Sequence, residues 1–171
     1  VLDGGAYADE SPAVLSWSVV VARGPYRIAN VRSNGRVVYT NKLRAGPYRG
    51  FGNPQLTFAG ESQIDEIAAR LGLDPFELRL KNAVEDGDHW FGGQPMPAVG
   101  LKQCITKVRD AIAASDVGVP ATGKRRAIGY SSLTHMCGLQ STAAQIHLRA
   151  DGSVAVVTGV VDLGQGSSTV L

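Results

Sequence analysis

The N-terminal third of the chain alternates short apolar segments with turns. Residues 14–22 (VLSWSVVVA) are mostly apolar and β-branched and are bounded by proline and glycine, so they form either a buried strand or a buried helix. Residues 26–31 and 36–40 have the composition of short strands, and Ser33-Asn34-Gly35 lies between them. Because Asn-Gly accepts the positive φ angles of a two-residue turn, this pattern predicts a hairpin.

Helical spacing replaces this pattern in the middle of the chain. Apolar residues recur mostly at three- and four-residue steps over 56–71, and Gly72 is placed to end that helix in a left-handed conformation. A second helix is predicted to begin after the N-cap Asp74 and to run to about Asn82. Residues 101–114 repeat the helical spacing. The sequence therefore predicts three consecutive helices.

Strand patterns return near the C-terminus. Residues 127–134 and 142–149 have strand character, and Ala150-Asp151-Gly152-Ser153 predicts a hairpin turn into 154–161. Helices in the middle and strands at both ends indicate an α+β fold, with a mainly antiparallel or mixed sheet and helices packed on one side. The predicted segments are strands and a glycine-rich loop over 1–52, helices over 53–115, an exposed linker over 117–124, and strands ending in a second glycine-rich loop over 126–171.

Composition excludes several classes of protein. The chain has 171 residues, 44% hydrophobic and 19% charged, with a net charge of +2, so it is a folded protein without the basic patch of a nucleic-acid binder. No apolar run has the length of a membrane span. Cys104 and Cys137 lie far apart without zinc or disulfide spacing, which favours a reducing, cytoplasmic location. Because the chain starts without methionine and stops on an apolar run, we expect a piece of a longer protein.

The first candidate site is the loop 45–55, which has glycine and proline throughout. It opens a helix, where free backbone N–H groups can bind an anion. Arg49 adds a fixed cation, and Phe51, between two glycines, can present a ring face to a planar ligand. From the residues alone, a tight structural loop remains the alternative.

The second candidate site is the loop 162–169, which sets Gln165 between Gly164 and Gly166. The glycines let the backbone approach a ligand, while the glutamine amide can donate and accept hydrogen bonds. The loop matches neither a GxGxxG fingerprint nor a Walker loop, whose lysine is missing. An ordinary loop is again the alternative.

Other candidate chemistry is sparse. Cys104 lies in a predicted amphipathic helix, where a small buried hydrophobe is the simplest interpretation, and no nucleophile motif occurs. The three histidines lack metal-ligand spacing, so no protein metal ligand is predicted. His147 is expected to face solvent. His135 follows Thr134 where a strand gives way to a turn, and it is a candidate for a pocket wall.

Six segments together form a specific combination. They are DGGAYAD at residue 3, YRIANV at 26, TNKLRAGPYRGFGNPQ at 40, DEIAARLGLDPFELRLKN at 65, DGSV at 151 and DLGQGSST at 162. Spread over nearly the whole chain, they resemble the molybdenum-binding subunit of the xanthine dehydrogenase and aldehyde oxidase family. By this resemblance, residues 1–171 are a fragment of a molybdenum-cofactor-binding domain.

The resemblance implies an oxidoreductase that hydroxylates an N-heterocycle or aldehyde with water as the oxygen source. Its cofactor would be molybdopterin with molybdenum, in the cytosine dinucleotide form, and electrons would leave through iron–sulfur and flavin subunits or domains. The metal would be held by the pterin and not by protein side chains. The residues implied are Arg49, Gly50, Gly164, Gln165 and Gly166 for the cofactor, and Phe51, Thr134 and His135 for the small-molecule substrate.

Departures from the family pattern narrow these expectations. Gly50 stands where the CO-oxidising branch has a cysteine, and Trp17 lies near the place of an arginine that anchors purines, so CO and xanthine are disfavoured substrates. The catalytic glutamate is expected downstream, so the fragment alone should bind no cofactor and have no turnover. The alternative is a non-catalytic scaffold that keeps the fold without the cofactor. Joint retention of Arg49, Phe51 and Gln165 argues against that alternative.

Overall fold

The computed structural model describes residues 1–7, 9–90, 92–115, 118, 122–135 and 141–171. The chain divides into two units, Val1–His135 and Met136–Leu171, and each is described by itself. Helices and small sheets both occur, as expected for mixed α and β structure. The elements are β1 (Leu2–Gly5), α1 (Ser11–Val21), β2 (Val37–Tyr39), α2 (Asn53–Leu71), α3 (Pro75–Asn82), α4 (Leu101–Ala114), β3 (Ala144–Leu148), β4 (Val154–Thr158) and α5 (Ser167–Val170).

The first sheet of the described residues is a parallel pair. β1 pairs with β2, with Leu2 opposite Val37. The hairpin predicted over 26–31 and 36–40 is therefore wrong, because β2 takes its partner from the N-terminus. Gly35 does not form the predicted turn: a Cβ there would lie 2.7 Å from Cγ2 of Val19, so the glycine lets the loop lie against α1.

Asp3 ties the end of β1 to the chain that follows β2. Its carboxylate accepts hydrogen bonds from the Thr40 hydroxyl at 2.6 Å and the Gly5 N–H at 3.1 Å, and it pairs with Lys42 at 3.0 Å. These contacts, the Thr40 hydrogen bond first, lower the pKa of Asp3 from 3.8 to about 2. Asp3 therefore links two segments of the chain.

Replacing Thr40 by valine is expected to raise the pKa of the Asp3 carboxyl towards its ordinary value, because the largest contact that favours the charged form is lost. The contribution of the charged Asp3 carboxylate to the free energy of unfolding is present above pH 3.8 and is lost as the pH falls towards 2. NMR titration of the carboxyl carbon measures this. Thr57→Val, at a hydroxyl bound elsewhere, is the matched control. A titration midpoint of Asp3 that is unchanged by Thr40→Val would contradict the role of the Thr40 hydrogen bond in lowering the pKa of Asp3.

The structure settles the type of the segment 14–22, which belongs to the helix α1. Val14, Ser18 and Val21 lie on its buried face. The hydroxyls of Ser16 and Ser18 donate to carbonyls four residues earlier, at 3.0 and 2.9 Å, so these polar residues are satisfied within the helix. α1 packs against β1, β2 and α2. The segment 1–52, predicted as strands and loop, thus also contains a helix.

The three predicted helices are confirmed as α2, α3 and α4. Gly72 ends α2 with φ of 64°, and the Asp74 carboxylate caps α3 by accepting the N–H groups of Phe76 and Glu77 at 2.8 and 3.0 Å. α3 packs against both α2 and α4. The core of this unit is centred on these helices and includes Ala68, Leu78, Ala83, Met96 and Ile105.

Two predictions about the second half of the first unit are wrong. Cys104 is exposed, because α4 turns its neighbour Ile105 into the core instead. Residues 127–134 form no strand. The backbone N–H of Ser132 donates to Oε2 of Glu61 at 2.9 Å, so a helix side chain replaces a strand partner. Half of the predicted linker 117–124 lies outside the described residues.

The second unit contains an antiparallel pair, β3 with β4, in which Ile146 lies opposite Val156. Gly152 has φ of 81°, and Asp151 accepts the N–H of Ser153 at 2.9 Å, which confirms the predicted hairpin turn. His147 is exposed on β3, as expected. In the described residues the strands form a parallel pair in the first unit and an antiparallel pair in the second, so the predicted mainly antiparallel or mixed sheet with helices on one side is not confirmed. No helix among them is long and apolar enough to cross a membrane.

Candidate functional site

Three consecutive residues before α2 adopt left-handed backbone angles. Gly50, Phe51 and Gly52 have φ of 88°, 52° and 91°. The N–H of Phe51 donates to the Tyr48 carbonyl, and that of Asn53 donates to the Gly50 carbonyl, both at 2.9 Å. A left-handed conformation costs a residue such as phenylalanine roughly 1–2 kcal/mol. Such strain concentrates at functional sites, and ligand binding by this loop stays a prediction.

The two glycines are required by their surroundings as well as by their angles. A Cβ on Gly50 would lie 2.7 Å from Cδ of Pro54. A Cβ on Gly52 would lie 2.3 Å from Oγ of Ser18 and 2.8 Å from the Val14 carbonyl oxygen. The Gly-Phe-Gly sequence therefore lets the loop press against α1 and turn at once into α2.

Arg49 provides the cation of this loop. Its side chain is exposed, and no hydrogen-bond or ion-pair partner is found for it among the described residues. The neighbouring Arg44, in contrast, pairs with Asp9. Phe51 is partly buried. The loop thus presents an uncommitted guanidinium beside a strained aromatic residue, which is a combination suited to an anionic or planar ligand.

A groove of about 760 Å³ runs between α2 and the segment 129–135. Gly50 and His135 both line it, so the structure brings one predicted cofactor residue and one predicted substrate residue to the same groove. Phe58 and Leu133 add exposed apolar surface. Thr134 contributes its backbone carbonyl to the contacts described next, whereas Phe51 is absent from the described lining.

Asn53, at the start of α2, connects the helix to the far wall of the groove. Its side-chain nitrogen lies 2.6 Å from the Thr134 carbonyl oxygen and 3.2 Å from Nδ1 of His135. Its oxygen accepts the Thr57 hydroxyl at 3.0 Å. The His135 ring also packs edge-on against Trp17 of α1, with ring centroids 5.7 Å apart. Asn53 and Trp17 therefore hold the His135 ring from two sides.

A buried charged network forms the floor of the same region. The Glu61 carboxylate, 7% exposed, accepts the Tyr26 hydroxyl at 2.5 Å and Nε of Arg79 at 2.9 Å. Arg79, 1% exposed, also donates to Asp65 at 2.8 Å and lies over the Tyr130 ring. Burial, followed by the hydrogen bond to Glu61, raises the pKa of Tyr26 above its usual range. The network joins α2 and α3 to the wall of the groove.

These network residues have only a weak signature in the sequence, which predicted no role for them. Glu61 and Asp65 are four residues apart and therefore share one face of α2, and Arg79 lies between two leucines of α3. That spacing is the available signal for a buried ion pair. The contact of Asn53 with the far wall of the groove carries no such signal, because Thr134 and His135 are more than 80 residues away in sequence.

In the second unit, Asp162 organises the loop around Gln165. Its carboxylate accepts the N–H groups of Gly164 at 2.8 Å and Ser168 at 3.0 Å, and these contacts, Ser168 first, lower its pKa. The Gln165 oxygen accepts the Leu163 N–H at 2.6 Å, and its nitrogen donates to the Val161 carbonyl at 2.8 Å. The Gln165 amide thus serves its own loop, and its contact with a cofactor stays a prediction.

The flanking glycines leave space beside this loop. Gly164 and Gly166 have φ of 102° and 87°, and a Cβ on either would meet nothing within 4 Å. A ligand could therefore approach this backbone closely. Across the described residues of both units, no group of three or more histidine, cysteine or acidic side chains is placed to hold a metal ion.

Comparisons with known proteins match both units. Two family models described as molybdopterin cofactor-binding domain match residues 1–83 and 101–171. A xanthine dehydrogenase molybdenum-binding subunit of Escherichia coli is 34% identical over 97% of this chain and 23% of its own length. The nicotinate dehydrogenase large molybdopterin subunit of Eubacterium barkeri is 40% identical over 63% of this chain and 26% of its own length.

A solved structure agrees with these matches. The aldehyde oxidoreductase of Desulfovibrio desulfuricans superposes with a TM-score of 0.75 and 32% identity, over 90% of this chain and 18% of that chain. The aldehyde oxidoreductase of Megalodesulfovibrio gigas is 33% identical over 98% of this chain and 19% of its own length. The chain therefore spans about a fifth to a quarter of the length of these relatives.

Proposed function

Because the chain belongs to the xanthine dehydrogenase and aldehyde oxidase family of molybdopterin cofactor-binding proteins, we propose that it is a segment of the catalytic subunit of a molybdenum hydroxylase. The substrate we propose is an N-heterocycle or an aldehyde. Relatives named as a nicotinate dehydrogenase and as aldehyde oxidoreductases support both classes. The observation that carries the proposal is the strained Gly-Phe-Gly turn with the uncommitted Arg49 beside it.

The residues of both loops fit a molybdenum–pterin group. Arg49 offers a cation without a protein partner among the described residues to a group that carries phosphate. In the second unit, Gly164 and Gly166 leave open space beside the backbone of their loop, which suits close approach by a large ligand. When bound, the cofactor supplies the two-electron oxidation of a carbon centre, with oxygen taken from water.

Each candidate residue then has a distinct task. Arg49 holds the cofactor by its charge. Gly50, which has no side chain, leaves room for the cofactor beside the loop. Gly164, Gln165 and Gly166 are also proposed as cofactor-binding residues, through the backbone and the amide of their own loop. The ring of Phe51, on a residue with a strained backbone, is proposed to orient a planar substrate, and Thr134 and His135 are proposed to form a wall of the substrate pocket.

The remaining components of the proposed enzyme lie outside this chain. We propose iron–sulfur and flavin subunits or domains as the electron carriers, the cytosine dinucleotide form of molybdopterin as the cofactor, and the cytoplasm as the compartment. The catalytic glutamate would be supplied by another segment of the same subunit. Residues 1–171 alone are accordingly proposed to be inactive.

The test is the cofactor content and activity of the complete subunit that carries this chain, expressed with its electron-transfer partners. We expect hydroxylation of N-heterocycles or aldehydes, with ¹⁸O from labelled water in the product. Arg49→Ala is expected to lower the molybdenum content at least tenfold, since it removes a charged contact worth about 1.5–3 kcal/mol. Metal analysis of the purified protein measures this loss.

Arg32→Ala is the matched control, because Arg32 is also exposed on a loop of the same unit. This variant is expected to keep its molybdenum. Equal molybdenum content in the two variants would contradict the role of Arg49. A complete subunit that folds but contains no molybdenum would favour the scaffold alternative, and stoichiometric molybdenum on the isolated 171 residues would contradict the expectation that the fragment alone binds no cofactor.

A further inference from the structure

The contact between Asn53 and His135 determines which ring nitrogen of His135 carries a hydrogen. The Thr134 carbonyl oxygen can only accept, so the group of Asn53 that lies 2.6 Å from it must be the amide nitrogen. The Asn53 oxygen then faces the Thr57 hydroxyl, in agreement with the 3.0 Å contact there. Both ends of the Asn53 amide are thereby assigned.

This assignment extends to the histidine. The Asn53 nitrogen has two hydrogens, one directed at Thr134 and one available to Nδ1 of His135 at 3.2 Å. Nδ1 must therefore accept, and the hydrogen of the neutral imidazole must be on Nε2. A hydrogen on Nδ1 would point at the Asn53 amide N–H, so that two hydrogen-bond donors would face each other. Asn53 is 4% exposed, so water cannot readily replace it in this contact.

The His135 ring has a second nitrogen, Nε2, besides the one that contacts Asn53. His135 lines the groove together with Asn53 and Gly50, and no partner is found for Nε2 among the described residues. The two carboxylates in the lining, Glu61 and Asp65, are both engaged by Arg79. A ligand in this groove therefore meets an oriented N–H donor on the His135 side.

We propose that His135 is a specificity-determining hydrogen-bond donor, and that Asn53 positions it as the Nε2–H tautomer. The ligands selected would be planar molecules with an acceptor, a ring nitrogen or a carbonyl oxygen, in preference to hydrocarbons of the same shape. For the identity of its ligand, this inference rests on the proposed function, because N-heterocycles and aldehydes both carry such an acceptor.

The tautomer can be measured without any cofactor. Long-range ¹H–¹⁵N NMR of the 171-residue chain, labelled at its histidines, distinguishes a protonated from an unprotonated ring nitrogen. We expect His135 to be the Nε2–H tautomer at neutral pH. In the Asn53→Leu variant we expect a mixture of the Nε2–H and Nδ1–H tautomers. The exposed His147 of β3 is the internal reference. A hydrogen on Nδ1 in the wild type, or an unchanged spectrum in folded Asn53→Leu, would overturn the proposal.

Ligand selection is measured in the complete, cofactor-loaded subunit. NMR titrations with isoquinoline and with naphthalene give two dissociation constants for ligands of one shape, of which only isoquinoline has an acceptor. We expect the wild type to prefer isoquinoline by about fivefold to tenfold. His135→Phe, which keeps a ring beside Trp17, is expected to lose that preference, and His135→Gln, which keeps a donor, to retain some of it.

The outcomes separate this inference from the proposed function. A subunit that hydroxylates substrates but shows the same isoquinoline preference in His135→Phe as in the wild type would refute the donor and leave the hydroxylase in place. A subunit without hydroxylase activity in which His135→Phe abolishes the preference would refute the hydroxylase and support the donor.

Discussion

Replacing Arg79 by methionine is expected to lower the free energy of unfolding of the first unit by about 3–5 kcal/mol. The side chains of Arg79 and Glu61 are 1% and 7% exposed, and their ion pair is 2.9 Å long. Without the guanidinium, the Glu61 carboxylate, 7% exposed, loses its partner cation, and Tyr26 and Ser132 supply the other hydrogen bonds described for it. A charge left alone in this way costs far more than the pair contributes.

Urea unfolding followed by tryptophan fluorescence measures the loss, since Trp17 and Trp90 both lie in the first unit. Arg70→Met is the matched control: Arg70 is 82% exposed and pairs with Glu66 at 3.6 Å, so its loss should cost less than about 1 kcal/mol. Adding Glu61→Gln to Arg79→Met should recover some of the stability, because no charge is left buried. Equal losses for Arg79→Met and Arg70→Met would refute the structural role of the network.

The Arg79→Met variant should also disturb the groove between α2 and the segment 129–135. Glu61 holds the segment 129–135 through the Ser132 N–H, and Arg79 lies 5.2 Å from the centre of the Tyr130 ring. His135 follows in that segment and depends on it to reach Asn53. A change in the Arg79 pair is therefore a change in the wall of the proposed substrate pocket as well as in the core.

Local signals account for the elements of the fold that the sequence predicted. The helices α2, α3 and α4 have apolar spacing, and the junction of the first two is marked by Gly72 and Asp74, whose angles and hydrogen bonds follow from their own chemistry. The β3–β4 turn similarly depends on Asp151 and Gly152. These elements need no knowledge of distant residues.

The elements that the sequence could not predict depend on distant partners. Ser33-Asn34-Gly35 has the local chemistry of a hairpin, but pairing of β2 with β1 and packing of Gly35 on α1 override it. Residues 127–134 look like a strand, yet side chains of α2, Asn53 and Glu61, take the place of a neighbouring strand. The two glycine-rich loops are visible in the sequence because glycine at such positions is itself the signal, whereas the Asn53–His135 contact has no local signature.

Replacing Gly52 by alanine is expected to lower the free energy of unfolding by about 2–5 kcal/mol. The residue has φ of 91°, which costs an L side chain roughly 1–2 kcal/mol. Its new Cβ would also lie 2.3 Å from Oγ of Ser18 and 2.8 Å from the Val14 carbonyl oxygen, and overpacking of this kind costs about 1–3 kcal/mol. The loop would have to move away from α1.

Gly46→Ala in the same loop is the matched control for urea unfolding, because a Cβ there meets nothing within 4 Å and its φ is not positive. It should change the stability by less than about 0.5 kcal/mol. Adding Ser18→Ala to Gly52→Ala removes the nearest clashing atom and should restore some of the loss. In the complete subunit, Gly52→Ala should also lower the molybdenum content, since Arg49 and Phe51 move with the loop. A Gly52→Ala protein as stable as Gly46→Ala would mean that the loop does not press against α1, and the proposed placement of Arg49 and Phe51 would lose its structural basis.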